Sequence, residues 1–213
     1  MTLSRLIDKF PPMTTSKKNY HHGDLRESLL SAATDLISEG GVDNLSIRKL
    51  ADKVGVSRTA PYHHFKDKNE LLCAIAEQGF KQQDELIKSI PTDDQSLSAI
   101  ESFERYVLTY LRFADEQRET YDLMYGREIW KTGQPTTALQ EISKSSFHLW
   151  LEWVEALQQQ HVFDPRQPSL RIAQSSWAAL HGLCRLFNDG IYVNREDIAD
   201  IAKNTVRMLT NHP

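Results

Sequence analysis

Ser46-Ile-Arg-Lys-Leu-Ala-Asp-Lys-Val-Gly55-Val-Ser-Arg-Thr-Ala-Pro-Tyr-His-His-Phe65 reads as a short helix, a glycine turn and a second short helix with basic and aromatic groups facing outward. Ile47, Leu50, Ala51 and Val54 recur at spacings of three and four, giving the first helix one apolar face, while Arg48, Lys49, Asp52 and Lys53 fall elsewhere on it. Gly55 can take the left-handed conformation that ends such a helix, Val56 buries in the corner, and Ser57 is placed to cap the second helix. That second helix is too short to stand alone, so Tyr62 and Phe65 are expected to pin it to its neighbours. Arg58, Thr59, His63 and His64 are left for the outer side. This is a helix-turn-helix over residues 46–65, and the outer side of its second helix is the part that enters a DNA major groove.

The flanks complete a three-helix unit. Asp24 with Glu27 has the spacing of a capping box, and Leu25, Leu29, Ala32, Ala33, Leu36 and Ile37 trace one helical face up to Gly40-Gly41. Beyond Phe65, Asp67-Lys68-Asn69-Glu70 repeats the capping pattern before an apolar helix through Leu71, Leu72, Ala74, Ile75 and Phe80. Lys68 then stands in a first turn, where free backbone N–H groups and a cation together suit a phosphate.

From about Asp24 to Lys81 the chain resembles the tetracycline-repressor (TetR) family of bacterial regulators, through Leu45-Ser-Ile-Arg-Lys-Leu-Ala-Asp-Lys-Val-Gly-Val-Ser57 and Tyr62-His-His-Phe-Lys-Asp-Lys68. Trp177-Ala-Ala-Leu-His181-Gly182-Leu is similar to the Trp…His-Gly signature of one subgroup's C-terminal domain, and Asn19-Tyr-His-His-Gly-Asp-Leu-Arg26 is similar to that subgroup's leading segment. Pro61 departs from the family pattern: inside a recognition helix proline removes a backbone bond and can bend the helix. The resemblance implies an all-α chain: an N-terminal arm (1–22), a DNA-binding domain (23–83), and a helical ligand-binding and dimerisation domain (84–213). It implies DNA contacts from Ser46, Arg48, Ser57, Arg58, Thr59, Ala60, Tyr62, His63, His64 and Lys68. It further implies a homodimer through the last two helices, which in the family form a four-helix bundle with their symmetry mates.

Charge divides along the same line. The formal net charge is −4, but residues 1–81 hold 12 Lys+Arg against 10 Asp+Glu and residues 82–213 hold 13 against 19. A small surplus at Lys17, Lys18, Arg48, Lys49, Arg58, Lys66 and Lys68 suits local phosphate contacts rather than general polyanion binding. Cys73 and Cys184 are far apart and both lie in apolar helical patterns, which reads as two buried free thiols in a reducing cytoplasm. Residues 1–13 interleave Arg5, Asp8 and Lys9 with their apolar residues, leaving no signal-peptide core, and no later run is long enough to span a bilayer. Pro11-Pro12 separates this stretch from the rest, and Met13 offers a second start with residues 1–12 as an upstream extension.

After the linker Ile90-Pro91-Thr92 the chain reads as four or five more helices. Phe103, Tyr106, Tyr110 and Phe113 form an aromatic stripe, succeeded by Tyr121, Met124 and Tyr125, the loop Gly133-Gln134-Pro135, and a helix carrying Phe147 and Trp150. Ser169 is placed to cap the next helix, which carries Trp177, His181 and Cys184 and ends at Asn188-Asp189-Gly190; Asn194 with Asp197 opens the last. Aromatics at helical spacing are more often core than pocket. The resemblance nevertheless implies a cavity for a small apolar or aromatic effector, with these twelve residues, Phe103 through Cys184, as its candidate lining.

Neither metal binding nor catalysis is expected. His21-His22 and His63-His64 are adjacent pairs that point about 100° apart on a helix, and no His-x3-His or Cys-x2-Cys spacing occurs. There is no glycine-rich phosphate loop or nucleophile elbow, and His181 with Cys184 sits in an apolar helix where a satisfied core histidine is the usual outcome. The reading is therefore a cytoplasmic, dimeric, ligand-released repressor on a palindromic operator, without cofactor. Its alternatives are a ligand-independent DNA-binding regulator and a helical small-molecule-binding protein without DNA recognition.

Overall fold

Leu29, Leu30, Ala33, Leu36 and Ile37 close over Leu45, Leu50, Phe65, Leu71 and Ile75 to make the core of the N-terminal unit. The computed structural model describes residues 25–90, 97–191 and 194–210, and every element among them is helical. The first helix, α1 (Leu25–Asn44), loses helical geometry at Gly40 and Gly41, where the pattern places its end; Gly41 lies at φ 74°. Arg26 sits over the Phe65 ring at 5.3 Å, and Lys53 binds Glu39 at 2.7 Å, so α1 is tied to both halves of the helix-turn-helix. The expected arm with Lys17, Lys18, His21 and His22, the Asp24 cap, and Pro91-Thr92 of the linker all lie outside the described residues.

Helix α2 (Ile47–Val54) matches the sequence pattern closely. Ser46 caps it by accepting the Lys49 N–H, and Gly55 ends it in the left-handed conformation, φ 77°. The second half departs from expectation, being a single 3-10 turn, Ala60–His63, instead of an α-helix. Pro61 is the cause: it has no N–H to give, and its carbonyl accepts from both His64 and Phe65 while the Tyr62 N–H reaches only to Thr59. The tighter winding turns Pro61 inward beside Phe65 and leaves Tyr62 56 % exposed, so proline takes the anchoring place expected of Tyr62. Ser57 does not cap this turn through its side chain; its hydroxyl pairs with that of Thr59 at 3.1 Å and its carbonyl accepts the Ala60 N–H.

Helix α3 (Lys68–Lys88) is capped by Asp67, whose carboxylate accepts the Glu70 N–H. Glu70 returns the contact one residue early, to the N–H of Lys66. The boundary expected at residue 83 falls inside α3, which runs on unbroken and packs against α5 (Arg118–Tyr125) and α6 (Thr137–Gln159). Residues 133–135 hold its start: Asn69 Nδ2 donates to the Gln134 carbonyl at 2.7 Å, and Thr136 donates to Glu77. The remaining elements are α4 (Ala99–Glu116), α7 (Ser169–Asn188) and α8 (Ile198–Thr210), with α4 packed on α7 and α8. Ser169 is the first residue of α7 rather than its cap and donates to Gln158; Asn194 leads into a 3-10 turn (Arg195–Asp197) ahead of α8.

At Gly79 the absent side chain sets the distance between α3 and α5. A Cβ there would lie 2.7 Å from Thr120 Cγ2 and 2.8 Å from Met124 Cγ. Gly79→Ala should therefore destabilise the fold by about 1–3 kcal/mol, the overpacking cost exceeding the gain of up to ~1 kcal/mol in helix propensity. Urea unfolding measures it, and a raised midpoint would contradict the tight α3–α5 contact.

Behind these helices a polar thread crosses the C-terminal core. Tyr110 and Tyr121 share a hydroxyl contact at 3.2 Å, and the Tyr121 hydroxyl meets His181 Nδ1 at 2.8 Å. Burial, then the Arg185 charge, lowers the His181 pKa from 6.5, so the folded chain holds this imidazole neutral. The unfolded chain binds the extra proton more readily, so the stability linked to His181 is complete above its ordinary value and is lost as pH falls through the folded one. His181→Phe should cost about 1–3 kcal/mol at neutral pH by removing the Nδ1 partner of the Tyr121 hydroxyl, which keeps only its contact with Tyr110. The wild-type advantage should shrink between about pH 7.5 and about pH 5, where the unfolded imidazole takes up its proton. A pH-independent gap in urea midpoints would rule out the neutral assignment.

Candidate functional site

The helix-turn-helix presents one continuous exposed edge. Ser46 and Arg48 stand at the start of α2; Ser57, Arg58, Thr59, Tyr62, His63 and His64 line the turn and are exposed; Ala60 is half-buried beneath them. Neighbours occupy part of the donor capacity of several cations near this edge. Lys49 is bound to Asn44 at 2.6 Å, Lys53 to Glu39, and Lys68 to the Val42 carbonyl at 2.5 Å. Arg48, Arg58 and Lys66 keep side chains without a polar partner among the described residues, and all three are exposed. An exposed unpaired guanidinium beside hydroxyls and a phenol is a surface able to bind phosphates and the acceptor edge of guanine. Lys68, expected as a phosphate contact, has its ammonium on the Val42 carbonyl and so ties the start of α3 to the last residues of α1, beyond Gly41.

A cavity of about 370 Å³ lies in the C-terminal bundle, lined by Phe80, Gln83, Met124, Tyr125, Trp130, Ser143, Ser146, Phe147, Trp150 and Trp177. Five of these, Met124, Tyr125, Phe147, Trp150 and Trp177, stand in the sequence-derived lining. The other seven candidates lie outside the wall. Phe103, Tyr106 and Tyr110 are buried packing, with Tyr106 stacked on Trp150 at 5.2 Å. Phe113 lies edge-on to Tyr121, and Cys184 is fully buried, its thiol pushed up to about 12 by that burial. Tyr121 and His181 form the layer behind the wall: His181 stacks on Trp177 at 5.5 Å and meets Tyr125 edge-on at 4.8 Å. The stripe of α4 thus supports the cavity from behind without touching its contents.

Phe80, Gln83, Trp130, Ser143 and Ser146 are not legible as lining in the sequence. Phe80 and Gln83 sit on the helix that opens in the DNA-binding unit, and nothing local tells that it reaches the other half. Ser143 and Ser146 carry a usable signal, two small polar residues at three-residue spacing on the face that continues through Phe147 and Trp150. Gln83 is 4 % exposed and its Oε1 accepts the Tyr125 hydroxyl at 2.6 Å; Trp130 Nε1 donates to the Met124 carbonyl at 2.8 Å. Tyr125, half-buried in the cavity wall, has a phenol that burial pushes far above its ordinary range, and it remains neutral.

Two family models match the chain. The model of bacterial regulatory proteins of the tetR family covers residues 29–75, and that of the tetracyclin repressor-like C-terminal domain covers residues 103–209. The tetracycline repressor protein class A from transposon 1721 (Escherichia coli) is 50 % identical over 50 residues, 24 % of this chain and 23 % of that protein. The HTH-type transcriptional repressor AcnR of Corynebacterium glutamicum is 30 % identical over 81 residues, 38 % of this chain and 43 % of the relative. The match thus spans about a quarter to under a half of these curated relatives. A protein of unknown function from Rhodococcus sp. RHA1 superimposes with a TM-score of 0.73 at 30 % identity, over 91 % of this chain and all of that one. The fatty acid degradation regulator FadR of Bacillus halodurans shares the fold, with a TM-score of 0.69 at 15 % identity over 86 % and 93 % of the two chains. With the helix-turn-helix and the C-terminal bundle each matched by its own family model, the chain belongs to the TetR family of bacterial regulatory proteins.

Proposed function

We propose that the protein is a dimeric, cytoplasmic transcriptional repressor that binds a palindromic operator and is released from it by a small effector held in the 370 Å³ cavity. The observation that carries this reading is the path of α3. It starts at Lys68, directly behind the recognition turn, and twelve residues later its Phe80, and then Gln83, form part of the cavity wall. A ligand that shifts Phe80 and Gln83 acts on the same rigid helix that positions the DNA-reading edge. Repressor function in the relatives named above supports the direction of the effect. The segment Trp177…His181-Gly182 supports membership of the subgroup with that signature, Trp177 as cavity wall and His181 stacked behind it.

Dimerisation through α7 and α8 is supported by the surface that the single chain leaves uncovered. Leu186 and Met208 are exposed, Met208 to 81 %, and a side chain added at Gly182 would meet nothing within 4 Å. Two half-sites read together raise specificity beyond that of one short recognition turn. No helix among the described residues is long and apolar enough to cross a membrane, consistent with a protein that works on chromosomal DNA.

Purified protein titrated on the DNA upstream of its own and neighbouring genes tests the whole reading. Binding that is sequence-selective, dimeric and lost on adding a cavity ligand is the expected result; selective binding that no ligand relieves would favour a ligand-independent regulator. Within the DNA face, Arg58→Ala should relax preference at one base pair per half-site, costing ~1–3 kcal/mol of discrimination. Ser57, Thr59, Ala60, Tyr62, His63 and His64 complete the proposed reading edge, and Ser46, Arg48 and Lys68 the phosphate contacts. Lys68→Ala should weaken every DNA sequence alike and lower the salt slope by about one per half-site. Loss confined to one operator variant would contradict a phosphate role.

A further inference from the structure

The cavity is an aromatic box with one polar corner. Phe80, Tyr125, Trp130, Phe147, Trp150 and Trp177 supply the rings, and none of its lining residues is charged. At the corner Ser146 is only 3 % exposed, lines the cavity, and its hydroxyl has no hydrogen-bond partner among the described residues. Beside it, one turn beyond Phe80 on α3 and just outside the lining itself, the Asp84 carboxyl keeps an enclosed Oδ1 with no well-formed hydrogen bond, the Ser146 hydroxyl being the donor next to it. Lys88, one turn further along the same helix, is turned outward onto Glu85 at 2.9 Å. Buried polar groups are ordinarily satisfied, and an enclosed carboxyl oxygen without a donor is the costliest kind to leave open.

We propose that the cavity takes an organic cation, with an apolar or aromatic body between the rings and an ammonium head directed at Asp84 and Ser146. Ring faces attract a cation through their quadrupole, and a desolvated aromatic enclosure strengthens that attraction. An ammonium brings several donors to a corner where Asp84 Oδ1 has none of its own and Ser146 offers a single hydroxyl hydrogen, whereas a carboxylate ligand would meet electron-rich ring faces and an acidic group with no lysine or arginine in the wall. Burial raises the empty site's Asp84 pKa more than the nearby Ser146 hydroxyl and the Lys88 charge lower it, as befits a carboxyl short of a counter-charge. This proposal rests on the effector-pocket reading and narrows it to one chemical class.

The test is calorimetric titration of the full chain with three probes of one shape: 2-(2-naphthyl)ethylammonium, 2-(2-naphthyl)ethanol and 2-naphthylacetate. The ammonium should bind about ten-fold more tightly than the alcohol, as expected of a charge-assisted bond, and the carboxylate most weakly. Asp84→Asn should erase the gap between ammonium and alcohol, and Ser146→Ala should narrow it. Equal binding of ammonium and alcohol, a preference for the carboxylate, or a preference that survives Asp84→Asn in a folded variant overturns the proposal. If Asp84→Asn does not fold by circular dichroism, an unchanged ratio in Ser146→Ala overturns it instead. Ammonium binding without operator release would leave the cation site standing and remove the effector reading; no binding of any probe would remove both.

Discussion

The position of α3 is the constraint on which the rest depends. Its first two turns bury Leu71, Leu72 and Ile75 in the same core as Leu50 and Phe65, and its later turns bury Phe80, Gln83 and Ile87 among the helices of the C-terminal bundle. One element thus runs through a continuous core that both halves share, and neither half can move on it without changing the other. The fit is close at both ends. Asn69 exchanges hydrogen bonds with Gln134 at the start, and at Gly79 the approach of α5 leaves no room for a methyl group. Because packed interfaces of this kind slide or snap rather than stretch, a small change in the cavity wall becomes a displacement of the whole rod.

How much of this was legible in the sequence depends on which forces are local. The face of α1, the Ser46 cap, the Gly55 stop and the Asp67 cap are all decided within a few residues, and they occur where the spacing places them. The winding of the recognition turn is where the pattern misleads, although Pro61 carries the warning. A proline removes one N–H, and in a segment only four residues long that is enough to convert the element to a 3-10 turn and to exchange the inward places of Pro61 and Tyr62. The exchange bears on the proposed function, because it puts a phenol on the edge proposed to read DNA.

The cavity was legible only as a region. Periodicity identifies the buried face of a helix but not which buried residues border empty space, so the Phe103–Phe113 stripe and the Trp130–Trp177 wall look alike in one dimension. They are separated by the distance between helices, which depends on residues far apart in the chain. Ser143 and Ser146 show the kind of signal that survives: a small hydroxyl on an otherwise apolar face either bonds back to its own helix or faces space. Ser143 and Ser176 take the first course, donating to the Gln140 and Ile172 carbonyls at 3.0 and 2.6 Å, and Ser146 takes the second.

In the proposed reading an effector would release DNA only by the difference in its affinity for two arrangements of α3, so a ligand held equally by both would achieve nothing however tightly it bound. The wall of this cavity divides unequally in that respect. Trp150 is anchored by its Nε1 to the Ala173 carbonyl at 2.9 Å, and Trp177 rests on His181; both stay with the α6–α7 frame. Phe80 and Gln83 travel with α3, and Asp84 lies on the same helix. A ligand whose body packs on the frame while its head engages the α3 side bridges the fixed and the moving parts, and its binding energy then depends directly on where α3 stands. A ligand confined to the tryptophans would fill the same volume and leave the DNA-reading edge where it was.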